Sequence, residues 1–109
     1  MRYPARQELW LVDLGLVGKT RPCVVISAII GDIDRAVITV VPHTTHPRGT
    51  AYEAPINVSR LKSGAFNAQG LVSVGVTDAV RFLGVLNDDQ MRQVERVVCK
   101  WLALPCHES

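Results

Sequence analysis

Two short stretches carry the side chains best suited to chemistry: Lys19-Thr20-Arg21-Pro22 and Val41-Pro42-His43-Thr44-Thr45-His46-Pro47-Arg48-Gly49. A guanidinium keeps its proton to a pKa above about 12, a hydroxyl both donates and accepts, and an imidazole titrates near neutrality. Together such groups can orient a phosphate, stabilise added negative charge and handle two protons. Such a set suits a reaction whose nucleophile lies within the substrate. Other signatures are absent: there is no phosphate-cradling glycine loop, GxSxG elbow, HExxH motif or usefully spaced carboxylate pair. Ser73 has no histidine near it in sequence and reads as a strand residue.

The elements that must position these groups follow from pattern. Glu8 to Asp13 is rich in strand formers and stops at a loop containing Gly15 and Gly18. Pro22 to Ile30 is nearly continuous apolar, as in a strand buried on both faces, and Ala36 to Val41 returns after turn chemistry at Gly31-Asp32-Ile33-Asp34. Thr44 to Thr50 reads as a polar loop, Tyr52 to Val58 as a weaker strand broken at Pro55, Ser59 to Gly70 as a loop and Leu71 to Val74 as a fifth strand. Thr77 can cap a short helix ending near Gly84. Asn87 opens a longer helix, with Gln90 three residues on as in a capping box. On that helix Met91, Val94, Val97, Val98, Trp101 and Leu102 form one apolar stripe, expected in a core or a dimer interface. The expected fold is mainly β (α+β): a small barrel in a single domain over residues 1–109, with a helix packed against it.

Antiparallel pairing of the second and third strands brings the two chemical stretches together, because Arg21 enters one and Thr44 leaves the other. The net charge of +2 is uninformative, but its distribution is not: Glu53 is the only acid between Arg35 and Thr77, and the loops hold Lys19, Arg21, Arg48, Arg60 and Lys62. A basic face made of loops suits a phosphate chain. The cluster therefore fits cleavage of single-stranded RNA by its own 2′-hydroxyl.

The chain resembles the MazF/PemK family of toxins, the ribonuclease half of bacterial toxin–antitoxin pairs. The matching stretches are Glu8-Leu9-Trp10-Leu11-Val12-Asp13, Arg21-Pro22-Cys23-Val24-Val25-Ile26-Ser27, Val40-Val41-Pro42-His43-Thr44-Thr45 and Leu83-Gly84-Val85-Leu86 with the helix that follows. The resemblance implies an SH3-like barrel of five to seven strands and a homodimer. It implies metal-free cutting of mRNA at short preferred sequences, leaving a 2′,3′-cyclic phosphate and a 5′-hydroxyl. It places Arg21 at the family's catalytic arginine and Thr44 at its catalytic hydroxyl, with Thr45 the adjoining alternative. A cognate antitoxin with an acidic segment would cover the RNA groove. Two departures stand out. Gln7 occupies a position usually held by glycine, and no arginine occurs in Leu71 to Val74, where some members carry one. A second cation, if needed, would come from Arg48 or Arg60.

The expected catalytic residues are thus Arg21, Thr44 and His46, and the expected RNA-binding residues Lys19, Thr45, Arg48, Arg60 and Lys62. Arg21 is assigned charge stabilisation and phosphate grip. Thr44 could also be a turn residue bonding local backbone. Strand alternation puts His43 opposite Thr44 and His46 on the same side, although either could be a surface loop histidine. No metal or cofactor is expected: Cys23, Cys99 and Cys106 lack ligand spacing, Cys106-His107 cannot close a tetrahedral shell, and the three read as thiols in a reducing compartment. Met1 to Gln7 has no signal-peptide pattern and no apolar run approaches a membrane span, so a cytoplasmic location without membrane contact is expected. Two rivals share the fold class: a non-catalytic RNA- or protein-binding barrel, and a gyrase poison like CcdB.

Overall fold

A computed structural model describes residues 3–15 and 19–106. Strands β1 (Glu8–Asp13), β2 (Thr20–Val25) and β3 (Val37–Thr44) form its centre. They are followed by β4 (Glu53–Ala54), β5 (Ala65–Asn67), β6 (Val72–Gly75), β7 (Ala79–Val85) and helix α1 (Asp88–Leu102). The strands hydrogen-bond in the order β4-β5-β3-β2-β1-β7, with β6 also on β3, and every pairing is antiparallel. The result is the small β-barrel with a C-terminal helix that the sequence suggested.

The apolar runs of the central strands are explained by two cores. Leu9, Val24 and Val41 point to one side, where Phe66 and the α1 residues Met91, Val94, Val97 and Val98 meet them. Their neighbours Val12, Cys23, Val25, Ile38 and Val40 point to the other, against Trp10 and Val74. Successive side chains of a strand face opposite ways, so a strand buried on both sides must be apolar throughout. Asn87 caps α1 as expected: the Gln90 amide donates to its Oδ1 at 2.8 Å and the Asn87 amide donates to Gln90 Oε1 at 2.9 Å. The stripe is buried except at its end, where Trp101 and Leu102 are exposed.

Several expectations are corrected. The helix capped at Thr77 does not form. Val76–Asp78 is a single 3₁₀ turn, and Ala79–Val85 continues as β7 along β1. Val80, Phe82 and Val85 are strand formers, and pairing with β1 outweighs the local capping signal. Gly84 lies inside this strand at φ +144° rather than at a helix end. The second strand stops at Val25, leaving Ile29 75% exposed in the connection 26–36, and the third runs three residues further, through Thr44. The strand expected over Tyr52 to Val58 shrinks to Glu53–Ala54, while the expected loop 59–70 contains β5 and a 3₁₀ turn, Ala68–Gly70.

The cysteine reading is also corrected. Cys99 and Cys106 form a disulfide, with Cα atoms 6.0 Å apart. Ala103 turns the chain left-handed at the end of α1, and the Leu104 amide donates back to the Cys99 carbonyl at 3.0 Å, which returns Cys106 to the last helical turn. Cys23 stays a thiol in the core, its pKa pushed up to about 12 by burial.

Candidate active site at the open end of the central strands

The ladder between β2 and β3 fixes where the two chemical stretches meet. Its register pairs Val25 with Val40, Val24 with Val41 and Cys23 with Pro42. Continued by two residues, that register sets Arg21 opposite Thr44. Arg21 is exposed on β2 and also lies across from Val12 of β1, so its backbone is held within the sheet while its side chain reaches solvent. Lys19 is exposed immediately before β2 with φ +57°, and the Leu14 amide donates to its carbonyl at 2.9 Å. Most of the glycine-containing loop before it, residues 16–18, lies outside the described residues.

Thr44 ends β3 opposite Ala65 of β5. Its Oγ1 accepts the His46 amide at 3.1 Å, which is the local turn bond weighed from sequence. Accepting there leaves the hydroxyl proton available to a substrate oxygen. Thr45 Oγ1 lies 3.1 Å from His46 Nδ1, so Thr45 and His46 orient one another at the exposed start of the loop. His46 is thus the surface imidazole. His43 is not: it is only 4% exposed, edge-on to Phe66 with ring centroids 5.1 Å apart, and its Nε2 has no hydrogen-bond partner. Burial holds its pKa below the usual value of 6.5 and keeps the ring neutral. A loop-surface reading of His43 is therefore corrected, because β3 extends past it.

The remaining cations divide. Arg48 is exposed on the loop leaving Thr44. Lys62 and Arg60 are exposed on the segment leading to β5. That segment is pressed against the site at Gly64, where a Cβ would overlap the Thr44 carbonyl and stand 2.9 Å from the His43 ring. Lys62, two residues before Gly64, is therefore tied to the Thr44 end, whereas Arg60 sits farther along, beside the turn closed by the Leu61 amide on the Val58 carbonyl. Sequence reasoning missed Glu53. Its carboxylate accepts the Arg48 amide at 3.0 and 3.1 Å and the Thr50 amide at 3.0 Å. These bonds, the Arg48 amide's foremost, hold its pKa below the usual carboxylate value. Its position as a lone acid in a basic stretch was the available signal. Among the described residues, no three His, Cys, Asp or Glu side chains gather as a ligand set for a metal.

Seven antiparallel strands with a C-terminal helix, with Arg21 exposed on β2 and Thr44 ending β3, define the class. The chain belongs to the family of PemK-like, MazF-like toxins of type II toxin–antitoxin systems, whose model matches residues 5–102. Solved structures share the fold. An endoribonuclease from a mycobacterial species is 21% identical, with 98% of each chain covered and a TM-score of 0.81. A mycobacterial endoribonuclease in complex with its cognate antitoxin is 22% identical over 95% of this chain and 99% of that one, with a TM-score of 0.81. A MazE–MazF crystal structure from Deinococcus radiodurans is 18% identical over 95% and 99%, with a TM-score of 0.78.

Proposed function

We propose that this toxin is an endoribonuclease that cuts single-stranded RNA at short preferred sequences and is neutralised by a cognate antitoxin protein. The observation that carries the reading is the β2–β3 ladder, paired from Val25–Val40 to Cys23–Pro42, which runs toward the exposed Arg21 on β2 and toward Thr44 at the end of β3. The substrate's 2′-hydroxyl attacks the adjacent phosphorus, the bond to the 5′-oxygen breaks, and a 2′,3′-cyclic phosphate and a 5′-hydroxyl result. Arg21 holds the phosphate and stabilises the charge that grows on its oxygens. The Thr44 hydroxyl donates a hydrogen bond to a phosphate oxygen. His46, oriented by Thr45, stands on the same loop to take the proton of the attacking 2′-hydroxyl and return one to the leaving 5′-oxygen. Lys19, Arg48 and Lys62 grip the flanking strand, and Arg60 extends the track. An acidic antitoxin segment would compete for this face by matching its charge. The working form is a single-domain subunit of a homodimer in the cytoplasm. No helix among the described residues is long and apolar enough to cross a membrane.

The protons and charge are handled by side chains, so no metal enters the scheme. Purified protein should cleave mixed-sequence RNA in the presence of EDTA. Loss of cleavage with chelator, restored by magnesium or zinc, would contradict it. The same assay separates the rivals, since a binding barrel or a gyrase poison leaves the RNA intact.

A further inference from the structure

The loop that carries His46 and Arg48 is tied at both ends to one hydrogen-bonded network of strands. It leaves β3 at Thr44 and re-enters the sheet at Glu53, where β4 pairs with β5 through Glu53 and Asn67. β5 in turn pairs with β3 through Ala65 and Thr44. Between those ends the chain turns at Gly49, with φ +73°. Glu53 reaches back from the sheet into this turn and takes the amides of Arg48 and Thr50 on its carboxylate. Successive amides converging around a left-handed residue form a concavity that binds anions. Here the anion is a side chain of the same protein. The Tyr52 amide, donating to Thr50 Oγ1 at 3.2 Å, closes the turn further.

We propose that Glu53 is a positioning residue for RNA: its carboxylate locks the Arg48–Thr50 turn so that the Arg48 guanidinium is presented to a substrate phosphate. The proposal rests on the ribonuclease reading above and assigns Glu53 no contact with substrate. Its logic is one of preorganisation. A glycine-containing loop free to wander would lose conformational freedom on binding RNA, whereas a loop already held by its own acid does not. The role also opposes the effect of charge. Glu53 is the lone acid in a basic stretch, so by charge alone its removal should tighten RNA binding. Positioning requires the reverse.

The test is the KM and kcat of the full chain on a mixed-sequence single-stranded RNA. Glu53→Ala should raise KM about tenfold while kcat moves less than about threefold, the split expected when ground-state grip is lost. Glu53→Gln, which keeps an acceptor and the side-chain shape, should fall between. It also serves as the folded control if the alanine variant is unstable. Arg48→Ala should raise KM similarly, and the double variant should be no worse than Arg48→Ala, because Glu53 acts through Arg48. Glu53→Ala and Arg48→Ala should each flatten the salt dependence of KM by about the contribution of one phosphate contact. A KM that falls or stays constant in the Glu53 variants, or effects that multiply in the double variant, would overturn the assignment. A wild-type protein that leaves the RNA intact defeats the ribonuclease reading itself, a result distinct from a wild type that cleaves while Glu53→Ala keeps its KM.

Discussion

Arg21 and Thr44 divide the proposed work according to what each side chain can offer. A guanidinium gives a fixed charge in a planar fork and never releases its proton, so Arg21 can stabilise the phosphate in flight but cannot act as its base. Arg21→Ala should lower the cleavage rate about a hundred- to a thousandfold, as loss of one preorganised donor does elsewhere. Arg21→Lys should recover only part, because an ammonium cannot reproduce the fork. Thr44→Ala should cost less than Arg21→Ala if the hydroxyl only orients. Full activity in folded Arg21→Ala, measured on the same RNA, would contradict the assignment. His43 yields a different prediction, on stability. Its folded pKa lies below the 6.5 of the unfolded chain because burial against Phe66 disfavours the cation. The fold therefore binds fewer protons than the unfolded state as pH drops below about 6.5, and stability is lost as pH falls from there through the folded value. Melting temperature should decline across that window. His43→Phe should remove that part of the decline, and an unchanged pH profile in the variant would show that His43 is not its source.

At the scale of elements, legibility followed the strength of local pattern. The central strands were readable because burial on both faces leaves continuous apolar runs, and α1 because Asn87 and Gln90 form a capping box ahead of a helical stripe. β5 was invisible, since three residues cannot show a period, and its stability comes from distant partners on β3 and β4. β7 was misread because Thr77 and Gly84 imitate helix ends while the decisive contact is with β1, far away in sequence. The site was legible to the extent that the β2–β3 pairing was. The approach of β2 to β3 follows from that hairpin, whereas the grip of Glu53 on its own loop depends on β4 and could not be read without it. β7 also bears on assembly. It is an edge strand with Val80 58%, Phe82 46% and Val85 60% exposed, too apolar an edge to be left in water. We expect it to lie in the interface of the proposed homodimer. Light scattering at micromolar concentration should report twice the 12.0 kDa chain mass, shifting toward monomer in Phe82→Asp. A constant 12.0 kDa for the wild type would contradict this.

For the molecule as a whole, the strands form a packed frame that leaves one end of β2 and β3 exposed to solvent, where the proposed RNA would lie. Two cores hold β1, β2 and β3 from both sides, so groups at their ends are placed by packing rather than by loop conformation alone. The loops add cations around that end, and the helix lays its buried stripe on the core beside β4, with Trp101 edge-on to Tyr52. Such a frame needs no bound nucleophile of its own if the substrate carries one. The most direct test replaces the ribose at an identified cut site with 2′-deoxyribose in an otherwise unchanged RNA. The wild-type protein should bind this substrate but not cut it at that position, and the unmodified RNA should yield a 2′,3′-cyclic phosphate and a 5′-hydroxyl. Normal cutting at the deoxy position, or products ending in a 5′-phosphate, would contradict it.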